Sequence, residues 1–366
     1  MNPERLAALE SRLRPLLVRL PTAVALQVYA LGRRRFLGRL AHRPPRNPFV
    51  PAGHERTLWG IRFRSPLFNA AGMFKRGEGH ELCARQGAGA YLAGTTTHRS
   101  RAGNRRGVLR QPFAPYPRSG AASNWLGLPN EGHQRVAGRL AKLRRHADFP
   151  IGASLAADPG GGQALLVHLA DGLRLYEEAG VDFLEVNESC PNTGEESAGL
   201  DDLETRLSYL SKHFLERRSR TLPVIVKLGA DSDPEQMPAV IGLLLRLGFD
   251  GVNFANTSID YQRHRRQIHP AERRLFDVFV RRFGGGISGR PLAADALRLV
   301  TAAAEQVAIQ AAKREFHVIR TGGVESADDV RRSLNAGASL CQWYTGYFEA
   351  FARDGHQLYR ELYRGL

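Results

Sequence analysis

Eight short apolar runs, separated by longer amphipathic segments, constrain the fold of this chain more than any other feature. They are Leu67–Gly72, Ala90–Thr95, Ile151–Leu155, Val181–Asn187, Pro223–Leu228, Gly251–Asn256, His317–Thr321 and Leu340–Thr345. Such near-continuous runs suit strands buried on both faces of a parallel sheet, not strands with one wet face. Helical patterns fall between them, some with start signals. Asp233 precedes Pro234 and Glu235, and Ser326 stands three residues before Asp329 in capping-box spacing. Eight strand–helix units over roughly 300 residues predict an α/β fold, the (β/α)8 or TIM barrel. The rival is a doubly wound open sheet, which would want a glycine-rich turn directly after its first strand. Here the glycine-rich turns come late.

Polar residues cluster where those runs end. Lys75 follows the first, Thr95–Thr97 the second, and Ser154 lies in the third. Asn187 ends the fourth, Lys227 lies in the fifth, Asn256 and Thr257 follow the sixth, and Gly322 and Gly323 follow the seventh. Any one of these could cap a helix or make a turn. In a barrel they converge on the C-terminal mouth, where such folds keep their chemistry. The last third adds Gly284–Gly286 with Ser288 and Gly289, Thr321–Gly322–Gly323, and Tyr344–Thr345–Gly346. Backbone N–H groups in glycine turns, backed by a helix N-terminus, bind phosphate. These turns predict a phosphorylated cofactor or substrate.

Residues 1–43 read as a two-helix extension. Asn2 is placed to cap, Pro3 fits the first helical position, and Leu6, Leu9, Leu13, Leu16, Leu17 and Leu20 form one apolar stripe. Pro21 ends that helix. A second carries Val24, Val28, Leu31, Phe36, Leu37 and Leu40 around Arg33–Arg35. The uncharged stretch Leu20–Gly32 is too short to span a bilayer, and arginines follow it where a signal peptide would be cleaved. The stripe either lies on a membrane surface or packs on the main domain. Residues 44–58, rich in proline, read as a linker, and 59–366 as the barrel.

Fifty-two Lys and Arg against 36 Asp and Glu give a net charge of +16, which favours anionic partners. The arginine doublets are scattered, with no zinc-finger, RNP or helix-turn-helix signature, so no nucleic acid is expected. Three widely separated cysteines exclude a disulfide framework and a cysteine-based metal site; no metal is expected, and a cytoplasmic setting is the default.

The segment Val186–Thr193, VNESCPNT, carries Asn187 and Asn192 on either side of Cys190. Amide side chains both donate and accept, which suits a planar ligand with alternating C=O and N–H groups. Cys190 reads either as a buried filler or as a proton-transfer group, since a thiol titrates at about 8.5 and lower beside cations. Asn124, in SNWLGLPN, and Asn256 add two further amides.

From about residue 58 to 350 the stretches NAAGMFKRGE, GTTTHRSRAGN, NWLGLPNEG, VNESCPNT, VIVKLGAD, NFANTS, GGGISGRPL, RTGGVES and QWYTG follow one another. With them the chain resembles the dihydroorotate dehydrogenases, the flavin enzymes of de novo pyrimidine (UMP) biosynthesis. The resemblance implies that Asn124, Asn187, Asn192 and Asn256 hold the pyrimidine ring, with Thr257 near its carboxylate and Lys75 beside flavin and substrate. It implies Cys190 as the base. It implies an FMN site built from Ala71, Gly72, Thr95, Ser154, Asn187, Lys227, Gly286, Ser288, Gly289, Gly322, Gly323, Tyr344 and Thr345, with Lys227 at the N1–C2 edge of the flavin. In the implied reaction the base takes a proton from C5 of dihydroorotate while a hydride leaves C6 for FMN, giving orotate.

The pattern is a hybrid. The membrane-associated, quinone-using class carries an N-terminal helical extension and a serine base, whereas the soluble class lacks the extension and uses cysteine. This chain has the extension and Lys75 of the first, and Cys190 and the GLPN segment of the second. Phe74 stands where the membrane class has aspartate, and the loop Gly194–Gly199 is long. The extension and the basic balance point to quinone as acceptor and to peripheral contact with the inner face of the membrane; fumarate stays open as acceptor, as do a monomer or a homodimer. The rival functions are an FMN-dependent dehydrogenase or reductase acting on another cyclic amide, and a basic barrel without catalysis.

Overall fold

The computed structural model describes residues 2–160, 164–188 and 200–366. Eight parallel strands form one sheet, Leu67–Asn69, Tyr91–Thr96, Ile151–Leu155, Phe183–Asn187, Val224–Lys227, Gly251–Phe254, His317–Arg320 and Ala338–Trp343, paired in chain order from the second to the eighth, with the eighth paired to the first. Each overlaps one of the apolar runs. An open doubly wound sheet would reverse its strand order and leave two edges. Here the order does not reverse, and the first and second strands meet. Their seam is closed by a side chain: Asn69 Nδ2 donates to the Leu92 carbonyl at 2.8 Å and Asn69 Oδ1 accepts from the Leu92 N–H at 3.2 Å. Gly89 N–H to Leu67 O (2.8 Å) and Gly72 N–H to Gly94 O (2.7 Å) flank it. The amide replaces a ladder bond that the three-residue first strand is too short to make.

A hairpin, Arg56–Leu58 with Ile61–Phe63, sits at the N-terminal side of the barrel. Its turn residues Trp59 and Gly60 both have positive φ (52° and 71°), as a two-residue turn of this hand requires. The Trp59 indole N–H donates to Asp250 O at 3.1 Å and its backbone N–H to the Glu315 carboxylate at 2.6 Å.

Over the opposite end lies a three-stranded antiparallel sheet, Phe113–Tyr116, Ala121–Asn124 and Gly286–Gly289. The sequence reading made Gly286–Gly289 a phosphate-binding turn; the structure corrects the local geometry. Gly286 pairs with Asn124 and Gly289 with Ala121 in a ladder. Close packing explains the glycines: a Cβ at Gly286 would lie 2.4 Å from Thr257 Oγ1, and one at Gly289 2.2 Å from the Gly120 carbonyl. This sheet has its own small core, with Tyr116, Phe276, Phe279 and Ile287, separate from the barrel core.

The extension forms helices α1 (Pro3–Leu17) and α2 (Thr22–Ala41). Asn2 Oδ1 accepts from the Glu4 N–H at 3.1 Å, which caps α1. The leucine stripe faces away from the body: Leu9, Leu13 and Leu16 are 43%, 42% and 62% exposed, and Leu20, Val24, Val28 and Leu31 are also exposed. Packing on the main domain accounts for Phe36, Leu37 and Leu40 of α2 and leaves most of the α1 leucines outward. Contact with the body is made instead by Ala7 and by Arg14, which is buried, bonded to Glu10 and ion-paired with Glu349. Leu26 and Ala30 of α2 join the small core over the mouth. Among the described residues no helix is long and apolar enough to cross a membrane.

Candidate active site

Parallel strands in register set equivalent residues side by side, and at the C-terminal mouth this aligns polar ends. Asn187 is the ladder partner of Lys227, and Ser154 of Glu185. Thr95 Oγ1 and Ser154 Oγ are 3.0 Å apart, Asn187 Nδ2 donates to Thr95 Oγ1 at 3.2 Å, and Asn256 Nδ2 donates to Asn187 Oδ1 at 3.3 Å. Ser154, Thr95, Asn187 and Asn256 thus form one hydrogen-bonded chain across four strand ends.

Next to this chain is a buried ionic network. Lys227 is 2% exposed; its Nζ lies 3.2 Å from Gln342 Oε1 and 3.6 Å from Glu185 Oε1, and Glu185 is itself 0% exposed. Glu185 Oε2 accepts from Asn253 Nδ2 and Gln342 Nε2, both at 2.8 Å. Thr321 Oγ1 donates to Asn253 Oδ1 at 2.8 Å or Gln342 Oε1 at 3.1 Å. Burial pushes the Lys227 ammonium down, and the Glu185 carboxylate opposes that shift. Glu185, Asn253 and Gln342 escaped the sequence reading, which has Thr321 only as part of the turn Thr321–Gly322–Gly323. Their signal is the same as that of Lys227, a polar residue inside an apolar run, but they sit one level below the strand ends.

A second group lies where the small sheet meets the mouth. Asn124 Nδ2 donates to the Gly286 carbonyl at 3.3 Å. Thr257 Oγ1, beside Gly286, is buried and has no hydrogen-bond partner among the described residues. Ser288 Oγ is 3.0 Å from Thr345 Oγ1, at the start of helix Thr345–Asp354. Gly322 and Gly323 have φ of +90° and +68°, and a Cβ on Gly323 would lie 2.5 Å from Ala293 Cα. Gly72, beside Ala71, has φ +97°, and a Cβ there would lie 3.7 Å from the Tyr344 ring. Arg33 of α2 donates to the Tyr344 hydroxyl at 2.9 Å, which ties the extension to this rim.

Lys75 stands at the side of the mouth, its Nζ donating to Pro129 O at 2.9 Å in the SNWLGLPN segment. Phe74 is a core residue: it is fully buried, edge-on to Tyr347 at 6.3 Å, and occupies the space a Cβ at Gly79 would need. Cys190 and Asn192, with the loop Gly194–Gly199, lie outside the described residues. The other two cysteines, Cys83 and Cys341, are fully buried, and burial raises both thiols, that of Cys341 to about 11.

The family pattern described as dihydroorotate dehydrogenase matches residues 54–365. A protein of Leifsonia xyli subsp. xyli named dihydroorotate dehydrogenase (quinone) is 35% identical over 311 residues, 84% of this chain and 83% of its own length. One of the same name from Mycobacterium tuberculosis (strain ATCC 25177 / H37Ra) is 30% identical over 349 residues, 91% of this chain and 85% of its own. Among solved structures, ligand-free DHODH from Eimeria tenella superposes with a TM-score of 0.74 at 21% identity, covering 92% of this chain and 93% of that one. Its ferulenol complex gives 0.73. At that identity the likeness shows the shared barrel, while the family match and the bacterial relatives carry the assignment. This chain belongs to the dihydroorotate dehydrogenase family.

Proposed function

We propose that this protein oxidises dihydroorotate to orotate with bound FMN and passes the electrons to a quinone at a membrane surface. The observation that carries this reading is the amide and hydroxyl chain Ser154–Thr95–Asn187–Asn256 next to the buried Lys227. Amides that donate and accept suit a cyclic imide, and a buried cation suits a ring system that gains negative charge on reduction.

The residues fit FMN. A Cβ at Gly323 would press on neighbouring backbone, so only glycine keeps this turn, and the Ser288 and Thr345 hydroxyls meet there at a helix N-terminus, as a phosphate site requires. Lys227 would supply a cation to the flavin, and Ala71, Gly72, Thr95, Ser154, Asn187, Gly286, Gly289, Gly322 and Tyr344 would form the rest of the cradle that holds it. FMN, when bound, supplies the acceptor for the hydride leaving C6.

Asn124, Asn187, Asn192 and Asn256 orient the substrate ring, and orientation of this kind lowers the barrier without any new bond. Thr257, whose buried hydroxyl has no partner among the described residues, is available to the substrate carboxylate, and Lys75 reinforces it. Cys190 takes the proton from C5, a contribution on the order of 10²–10⁴-fold. Cys83 and Cys341 are sealed in the core and cannot share that role.

Residues 1–43 form a quinone-access element, 44–58 a linker and 59–366 the catalytic barrel. The outward apolar side chains of α1 and α2, and the Arg33–Tyr344 bond to the rim, support this division. The test is deletion of residues 1–43. Flavin reduction by dihydroorotate should persist while turnover with a lipophilic quinone collapses. Full quinone turnover in a folded deletion variant, or a marked preference for fumarate in the intact protein, would refute the acceptor.

A further inference from the structure

On the outside of the barrel, helix Ala293–Gln310 packs over the seventh strand and helix Ala327–Asn335 over the eighth, and a cavity of about 640 Å³ opens beside them. Arg290, Arg298, Arg320 and Arg332 line it, against Glu305 as the one acid. Three of these arginines are answered by carboxylates outside the lining: Arg290 by Glu325 at 3.0 Å, Arg298 by Asp295 at 2.7 Å, and Arg332 by Asp329 at 2.6 Å. Arg320 is different. It is 1% exposed and, among the described residues, has no carboxylate within 4.0 Å. Its partners are neutral: the Asp329 carbonyl (3.3 Å), Ser333 Oγ (2.8 Å) and the Ala293 carbonyl (3.1 Å), while its Nε has none among the described residues.

An arginine cannot shed its proton to escape burial, and a buried charge without a counter-ion is strongly unfavourable. A charge kept in that condition at the floor of an open cavity calls for an anion. The guanidiniums of Arg298 and Arg332, 59% and 53% exposed, spend only part of their five N–H donors on Asp295, Asp328 and Asp329. The remaining lining includes Pro291, Ala294 and Leu297, an apolar wall against which a flat ring can lie. The volume falls within the range of small-molecule sites. We propose that this cavity binds a phosphate-bearing ligand of nucleoside monophosphate size, its phosphate held by Arg320 with Arg298 and Arg332 and its ring against the apolar wall. The cavity shares no lining residue with the substrate and cofactor sites proposed at the mouth, and the binding does not depend on the reaction proposed there.

The test is calorimetric titration of the flavin-loaded full chain at low salt, with orotate saturating its own site, using uridine monophosphate, adenosine monophosphate, inorganic phosphate and uridine. At least one nucleotide should bind with a submillimolar Kd, about tenfold or more tighter than inorganic phosphate, and uridine should not bind. Arg320→Gln should weaken nucleotide binding about tenfold or more. Ala294→Trp, at an exposed position on the lining, should fill the cavity and abolish binding with the thermal midpoint retained, so the proposal stays testable if Arg320→Gln fails to fold. No binding of either nucleotide, or undiminished binding in Ala294→Trp, would overturn the site. Equal affinity for inorganic phosphate and nucleotide would overturn the ligand class.

Discussion

Removing the charge of Glu185 should expose how much the barrel interior depends on the Glu185–Lys227 pair. The two groups are 3.6 Å apart and essentially without solvent contact. With an effective dielectric of about 20, their attraction is about 5 kcal/mol, set against the cost of desolvating both ions. Glu185→Gln keeps the shape and one oxygen able to accept from Asn253 or Gln342, so packing is preserved and the charge alone is lost. Lys227 is then a buried cation with no counter-ion, and the expected cost is about 3–5 kcal/mol. Lys227→Met strands the carboxylate instead and should cost a similar amount. The double variant strands neither charge, so its cost should fall several kcal/mol below the sum of the singles. Urea unfolding at pH 7, followed by far-UV circular dichroism and tryptophan fluorescence, reads all three. If the two costs add to within about 0.5 kcal/mol, the pair is not coupled and the electrostatic argument fails.

Other outcomes follow from the same geometry. Gly323→Ala places a Cβ 2.5 Å from Ala293 Cα on a backbone of φ +68°, and should lower FMN affinity about tenfold or more in a fluorescence titration. Gly107→Ala, at φ +60° in open space, is the control and should leave FMN binding unchanged. His80 and His133 are buried, and burial depresses their pKa values to about 4 and about 3. Between pH 6.5 and those values the unfolded chain binds protons that the folded one refuses, so stability falls as pH falls. Going from pH 7 to pH 5 should cost about 2 kcal/mol for each histidine. Urea midpoints at the two pH values should show this loss, and His133→Asn should remove about half of it; a flat profile would contradict the burial argument. Cys190→Ser should retain orotate and FMN binding while the alkaline-side rise of flavin reduction moves to higher pH, because a hydroxyl gives up its proton less readily than a thiol. An unshifted profile would take Cys190 out of the base role.

The barrel was legible because strands buried on both faces must be apolar throughout, and all eight runs became strands. The mouth residues were legible because a polar side chain at the end of such a run has no packing role. Glu185, Asn253 and Gln342 were harder to see: each is one polar residue among apolar ones, and only the register of the strands shows that they meet. The small sheet was missed because its strands Phe113–Tyr116 and Gly286–Gly289 are short, and one is half glycine, so neither carries a period-2 pattern. The leucine stripe of α1 was visible as a stripe, but periodicity gives an apolar face and not the surface it meets. In the structure the small Ala7 and the ion-paired Arg14 face the body, and Leu9, Leu13, Leu16 and Leu20 are left outward.

The most direct measurement is an anaerobic absorbance spectrum of the purified, FMN-loaded protein before and after adding dihydroorotate. Bleaching of the flavin band near-stoichiometrically with added dihydroorotate, and recovery of the band on adding quinone, is the result expected. A flavin band that dihydroorotate leaves unchanged, while another cyclic amide such as dihydrouracil bleaches it, would contradict the substrate assignment.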